Sequence, residues 1–220
     1  GPLGQGLATA VGMALSEKLM ASRFGNNLVN HYTYVIAGDG CLQEGISHEA
    51  IEFSGHLKLS KLIVFWDDNK ISIDGSTDLS NSSNQIYRFK AAGWHTQIID
   101  GHSHDDIQKA IMSAKKSRKP SLIGCKTKIG YGAPNLAGTA KTHGAPLGAD
   151  EIASTRKALG WSNNAFEIPT EILTEWKKTT ERSKELFKAW EKKLEDSPRR
   201  KRFQMFIEGN IPNSYQRKMN

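Results

Sequence analysis

The 220 residues carry a net charge of +7, are 38% apolar and have a mean hydropathy of −0.51, which suits one soluble core with an appendage and, with no run of about 18 apolar residues, excludes a membrane-spanning helix. Cys41 and Cys125 lie far apart, and residues 1–20 lack a basic segment leading into an apolar one, so a reducing cytoplasm is expected rather than a disulfide scaffold or a secretory route. The charge excess is terminal, 17 Lys/Arg against 15 Asp/Glu in residues 1–170 but 13 against 8 in residues 171–220; since "WKKTTERSKELFKAWEKKLED" interleaves both signs at helical spacing, it reads as a solvated helix and not as a nucleic-acid surface.

In chain order, "QGLATAVGMALSEKLMASRFG" predicts a helix with Ala8, Val11, Ala14, Leu15, Leu19 and Met20 on one side and Gly25 as its stop. "HYTYVIAG" is a strand by β-branched and aromatic content. "SHEAIEFSGHL" is a helix with Ala50, Phe53 and Leu57 inward, and "KLIVFWDDN" a nearly continuous apolar strand, as in a sheet buried on both faces. "NQIYRFKAAG" is helical, "WHTQIID" a strand, "SHDDIQKAIMSAKKS" a helix with Asp105 and Asp106 in its first turn, and "SLIGCKT" a strand. This alternation predicts an α/β domain over residues 1–170 with a mostly parallel sheet flanked by helices. "KIGYGAPNLAGTAKTHGAPLG" is glycine-rich, aperiodic and long enough to expect a functional loop. Residues 171–220 read as a helical extension and linker ending in "GNIPNSYQRKMN".

The chemistry concentrates at "YVIAGDGCLQEG". Asp39 ends one predicted strand and Asn69, 30 residues later, ends the next, with a helix between them. In such a βαβ unit both side chains emerge at the carboxyl edge of the sheet, where ligands of open α/β sheets bind. One carboxylate plus one carboxamide suits a hard divalent cation already carrying diphosphate oxygens, and the Ile71 carbonyl can complete the shell. Gly40 lacks a Cβ and admits a phosphate to the backbone N–H groups at a helix start. No G-x-x-x-x-G-K-[ST] and no G-x-G-x-x-G occurs, so neither a P-loop nor a dinucleotide fingerprint competes.

The run "GDGCLQEGISHEAIEFSGHLKLSKLIVFWDDNKISIDG" resembles the thiamine-diphosphate motif of the transketolases. "GPLGQG", the Glu44 and Glu49 pair, "IGYGAPNLAGTAKTHGAPLG" and "LGWSNNAFEIP" resemble that family in the same order. The resemblance implies the thiamine-diphosphate-binding fold, with thiamine diphosphate and Mg²⁺ or Ca²⁺ as cofactors. It further implies transfer of a two-carbon ketol unit from a ketose phosphate to an aldose phosphate in the pentose phosphate pathway. It assigns the metal to Asp39, Asn69 and the Ile71 carbonyl, and the diphosphate to Gly40 and Asn69. Gly1, Pro2 and Leu3 match the segment lying against the cofactor. His143 matches a histidine meeting both diphosphate and substrate. Glu44 and Glu49 match catalytic acids at the interface of a homodimer, where they link the two cofactors.

In the family, further histidines precede "GPLGQG", and the glutamate that activates the aminopyrimidine belongs to a later domain. The resemblance therefore implies a piece truncated at both ends and inactive alone. Related thiamine enzymes such as dihydroxyacetone synthase, or a non-catalytic module keeping the fold, are the alternatives. His102, His104, Asp105 and Asp106 mimic a metal cluster, but acids in a helix first turn have the dipole as their reason. Trp66, Trp94 and Trp161 read as core or interface residues, and Cys41 as a small filler.

Overall fold

The structure, a computed structural model, describes residues 2–210; Gly1 and most of "GNIPNSYQRKMN" lie outside the described residues. Four parallel strands form the sheet in the order β1-β2-β6-β5: β1 (Thr33–Gly38), β2 (Leu62–Asp68), β5 (His95–Asp100) and β6 (Ser121–Lys126). A two-stranded antiparallel hairpin, β3 (Ile71–Ser72) with β4 (Gly75–Ser76), follows β2. The expected alternation is present, with α1 (Gln5–Phe24), α3 (Gly45–His56), α4 (Gln85–Ala91) and α5 (His104–Lys116) between or beside the strands. The structure also contains α2 (Asp39–Gln43), the β3–β4 hairpin and α6 (Ala149–Ala158), which the sequence pattern does not predict. All three are too short, or too polar, to show a hydrophobic period.

Alternation along each strand divides the core in two. On one face, Leu7, Val11 and Ala14 of α1, Ala50 and Ile51 of α3 and Phe89 of α4 pack against Ala37, Leu62, Val64, Trp66 and Leu122. On the other, Ala110 and Ala114 of α5 cover Ile63, Ile123 and Cys125. β2 is buried on both faces over most of its length, as its apolar run predicts. β1 is an edge strand, and its alternate residues Tyr34 and Ile36 are exposed, Ile36 by 78%. Two inward assignments are corrected. Leu19 is exposed, whereas Leu7 and Ala10 are buried, because the apolar stripe of α1 runs along Leu7, Ala10, Val11 and Ala14. Phe53 of α3 is likewise exposed; the buried face consists of Ser47, Ala50, Ile51, Ser54 and Gly55, small residues that let the helix approach its neighbours closely.

The chain divides into two compact units. The first comprises the residues up to Lys18 and His31–Ser162; the second comprises Leu19–Asn30 and the chain from Asn163 onward. In the second unit, α7 (Thr170–Glu195) and α8 (Arg200–Ile207) form the helical extension. Its small core joins Phe24, Leu28, Val29 and Phe203 with Trp190, whose indole N–H donates to the Leu28 carbonyl at 2.9 Å. No described helix is long and apolar enough to cross a membrane.

Among the described glycines, Gly55 has the least room: a Cβ there would stand 1.8 Å from the Ala92 carbonyl oxygen and 3.3 Å from the Trp94 ring. Gly55→Ala is therefore expected to cost about 3 kcal/mol or more, since neither the backbone carbonyl nor the buried indole can yield. Denaturant unfolding of the variant against the parent chain measures this.

Candidate functional site

Parallel pairing of β1 with β2 sets Gly38 opposite Asp67. The residues that follow each strand, Asp39 and Asn69, thus leave the sheet at the same carboxyl edge. Asp39 is the first residue of α2 and is buried, with 8% of its surface exposed. Its Oδ1 accepts a hydrogen bond from the Trp66 indole N–H at 3.1 Å. Burial pushes the Asp39 carboxyl above the ordinary carboxylate range; the Trp66 bond opposes this, Asp68 and Asp67 add to it, and the Lys70 ammonium opposes it.

Asn69 is held at both ends of its carboxamide. Its Nδ2 donates to Asp67 Oδ2 at 2.9 Å, and its Oδ1 accepts from the Ile71 N–H at 2.9 Å. Asp67 also accepts from the Thr127 hydroxyl, tying the β2 end to the residue after β6. Lys70, between Asn69 and Ile71, adopts a left-handed backbone with φ of 64°. Its ammonium pairs with buried Asp68 at 2.8 Å and lies 5.5 Å from the Trp66 ring centre. Asp39, Trp66, Asp68 and Lys70 line one cleft of about 440 Å³ with Gln85. Gln85 is 3% exposed, and neither its amide nitrogen nor its oxygen has a hydrogen-bond partner among the described residues. A buried carboxamide in that state costs free energy until a polar ligand or water completes it.

Among the described residues no group of three or more His, Cys, Asp or Glu side chains could cage a metal. Asp39 lines the cleft, with Asp68 as a second carboxylate, whereas Asn69 and Ile71 do not line it; the Asp39 carboxylate, the Asn69 carboxamide and the Ile71 carbonyl could together hold Mg²⁺ or Ca²⁺ only with ligand oxygens to complete the shell. The residues present therefore fit a diphosphate-bound cation better than a free one. Gly40 follows Asp39 in α2, and a Cβ there would stand 3.1 Å from Leu3 Cδ1, so Leu3 packs directly on this glycine. Pro2 is exposed. Glu44 is half-buried between α2 and α3; Glu49 is exposed on α3. The Cys125 thiol is pushed up to about 11 by burial and by Asp67, which leaves it protonated and unreactive at neutral pH.

His143 is exposed and does not line the cleft. It follows a 3-10 turn, Ala140–Thr142, in the loop that the glycine-rich run predicts. The loop is anchored by Glu151 in the first turn of α6, a residue that carried no recognisable sequence signal. Glu151 is 7% exposed and accepts from the Asn135 N–H (2.8 Å), the Asn135 side-chain amide (2.8 Å) and the Leu136 N–H (3.0 Å). The Asn135 side chain first, then the backbone donors, hold its carboxyl below the ordinary range. Sequence reasoning also missed the polar role of Trp66, whose apolar strand context points to packing alone, and it missed Gln85 and Lys70.

Two outcomes follow from these charges. Because the folded protein disfavours ionised Asp39, Asp39→Asn removes a destabilising charge above the unfolded carboxylate value while leaving an oxygen for the Trp66 N–H. The variant is expected to melt no lower than the parent at pH 7, by calorimetry. Glu151 has the opposite sign: its depressed value gives stability that is full above the unfolded value of 4.5 and lost as pH falls through the lower folded value. Amide exchange at Asn135 and Leu136 is expected to remain protected at pH 6 and to lose protection on acidification ahead of β2; equal protection throughout would contradict it.

The family model described as "Transketolase, thiamine diphosphate binding domain" matches residues 1–211. A transketolase from Sinorhizobium medicae is 58% identical over 94% of this chain and 30% of its own length. A transketolase structure from Leishmania mexicana has a TM-score of 0.94 at 37% identity, covering 99% of this chain and 34% of that one. One from Pichia stipitis, in complex with sedoheptulose-7-phosphate, has a TM-score of 0.91 at 37% identity, covering 96% and 33%. The chain thus spans about a third of the proteins it matches. With the family model covering nearly its whole length and the parallel sheet shared with solved relatives, the chain belongs to the transketolase family, as its thiamine-diphosphate-binding domain.

Proposed function

We propose that this domain binds thiamine diphosphate through a divalent cation and serves a cytoplasmic transketolase of the pentose phosphate pathway, transferring a two-carbon ketol unit between sugar phosphates. The observation that carries this reading is the placement of buried Asp39 and doubly held Asn69 at the carboxyl ends of adjacent parallel strands. Asp39, Asn69 and the Ile71 carbonyl would hold Mg²⁺ or Ca²⁺, and Gly40 with Asn69 would contact the diphosphate. Gly1, outside the described residues, Pro2 and Leu3 would lie against the cofactor; the packing of Leu3 on Gly40 supports that placement for Leu3. The name of the Pichia stipitis complex supports a sugar phosphate as substrate.

Each residue then has a defined task. Asp39 would supply the anionic ligand to the cation; burial makes that charge costly, a cost that a bound cation would offset. The Trp66 N–H fixes the carboxylate orientation. Asn69 would add a neutral oxygen, so that the anionic diphosphate would meet no second carboxylate among its metal ligands. His143, exposed on its loop, would donate a proton or hydrogen bond to a phosphate or sugar oxygen at working pH. Glu44 and Glu49 would act at a homodimer interface. Thiamine diphosphate itself supplies the electron sink for carbon–carbon cleavage. The chain spans about a third of the relatives' length, so ketol transfer is proposed for a protein of that full length.

Isothermal titration of the chain with thiamine diphosphate tests the site. Binding is expected to require Mg²⁺, to disappear with chelator, and to weaken about tenfold or more, roughly 1.4 kcal/mol, in Asp39→Asn. Metal-independent binding, or binding unchanged by that substitution, would overturn the assignment.

A further inference from the structure

The loop that carries His143 has almost no regular secondary structure, yet it is cross-tied throughout. Starting from α6, Glu151 Oε1 accepts the N–H groups of Asn135 and Leu136, and Oε2 accepts the Asn135 side-chain amide. The Leu136 carbonyl then accepts both the N–H (3.2 Å) and the hydroxyl (2.7 Å) of Thr139. The Thr139 carbonyl in turn accepts the N–H (3.2 Å) and the hydroxyl (2.9 Å) of Thr142. The ladder ends where the His143 N–H donates to the Ala140 carbonyl at 2.9 Å. Each inner rung is double and links residues three apart.

The other limb of the loop is closed onto this ladder. The Gly138 N–H donates to the Ile129 carbonyl at 2.8 Å. Gly130, with φ of 64°, has no Cβ where one would stand 2.9 Å from Thr142 Cγ2; the threonine side chain occupies that space. A glycine is required there both for the left-handed backbone and for the close approach. A loop ordered only by its ligand has no need of a buried carboxylate with three donors at its base. A preformed loop does, since ordering such a segment on binding would subtract from affinity.

We propose that Glu151 is a positioning residue that sets His143 through this hydrogen-bond ladder, so that the loop meets an anionic ligand already formed. The inference deepens the reading of His143 as the diphosphate- and substrate-facing residue and rests on it. Glu151 itself need touch neither cofactor nor substrate. The low value of its carboxyl pKa agrees with a group kept ionised to hold three donors.

The experiment uses the 220-residue chain. Amide hydrogen exchange is followed across residues 128–148, together with the His143 imidazole resonances and the affinity for thiamine diphosphate with Mg²⁺. Glu151→Gln keeps the volume but turns one acceptor into a donor facing the Asn135 amide. It is expected to speed exchange at Leu136, Thr139, Thr142 and His143 by about tenfold or more while β2 exchanges as before, and to shift the His143 resonances. Thr139→Val, which removes only the hydroxyl half of one rung, is expected to speed exchange at Thr142 and His143 but not at Leu136. In binding, Glu151→Gln is expected to weaken affinity, and combining it with His143→Ala is expected to add nothing beyond His143→Ala alone, the non-additivity of residues acting as one unit. Unchanged exchange at Thr142 and His143 in Glu151→Gln, or additive losses in the double variant, would overturn the proposal. If His143→Ala leaves binding unchanged, the role given to His143 fails, and the exchange pattern alone then decides whether the ladder exists.

Discussion

The parallel pairing of β1 with β2 is the constraint on which the site depends. It places Gly38 beside Asp67, so the chain leaves both strands at one edge and delivers a carboxylate and a carboxamide there together. An antiparallel pairing would put the end of one strand beside the start of the other, some 15–20 Å apart for strands of ordinary length. The parallel arrangement in turn needs a crossover helix. α3 provides it, and its face of Ser47, Ala50, Ser54 and Gly55 allows the close approach that keeps the helix on the sheet.

The buried face of the site is more costly than its exposed one. Asp39 is desolvated beside Asp68 and Asp67, and Gln85 keeps an amide without a partner among the described residues. A fold selected only for stability would place apolar side chains at these positions. The structure compensates in part, through the Trp66 indole on Asp39 and the Lys70 ammonium on Asp68. Lys70 does so from a left-handed backbone that an L-residue adopts at a cost of about 1 kcal/mol. Such local costs, gathered in one cleft at the carboxyl edge of a parallel sheet, are what a site prepared for a charged ligand looks like.

Support for the cleft and support for the 128–148 loop come from different physics. The cleft rests on strand register and apolar packing, with the Asp39 and Asp68 carboxylates held on that frame by Trp66 and Lys70; the frame itself is insensitive to pH. The loop rests on one ionised carboxylate and a run of short-range hydrogen bonds, which are not. The two parts of the proposed site therefore respond differently to acidification and to substitution, and a loss in one need not propagate to the other.

The sequence alone determined the α/β alternation, the parallel sheet, the extent of β2, β5 and β6, and the placement of Asp39 and Asn69 at the carboxyl ends of neighbouring strands. Each of these follows from local patterns: apolar runs, turn residues, and a spacing that spans one βαβ unit. The resemblance carried by "GDGCLQEGISHEA" and "HGAPLG" named the family that the comparisons then established. The inward positions of Val11, Ala14 and Ala50 were legible from helical spacing, but tertiary structure alone decided that Ala10, Ser54 and Gly55 are buried, because small residues are covered by close helix approach and not by hydrophobicity. It also decided that Trp66 is a hydrogen-bond donor to Asp39 as well as a core residue, and that Glu151 anchors a loop beginning more than twenty residues before it. No pattern in the chain marks such contacts, since a hydrogen bond between distant segments depends on where the backbone brings them and not on the period of the residues around either.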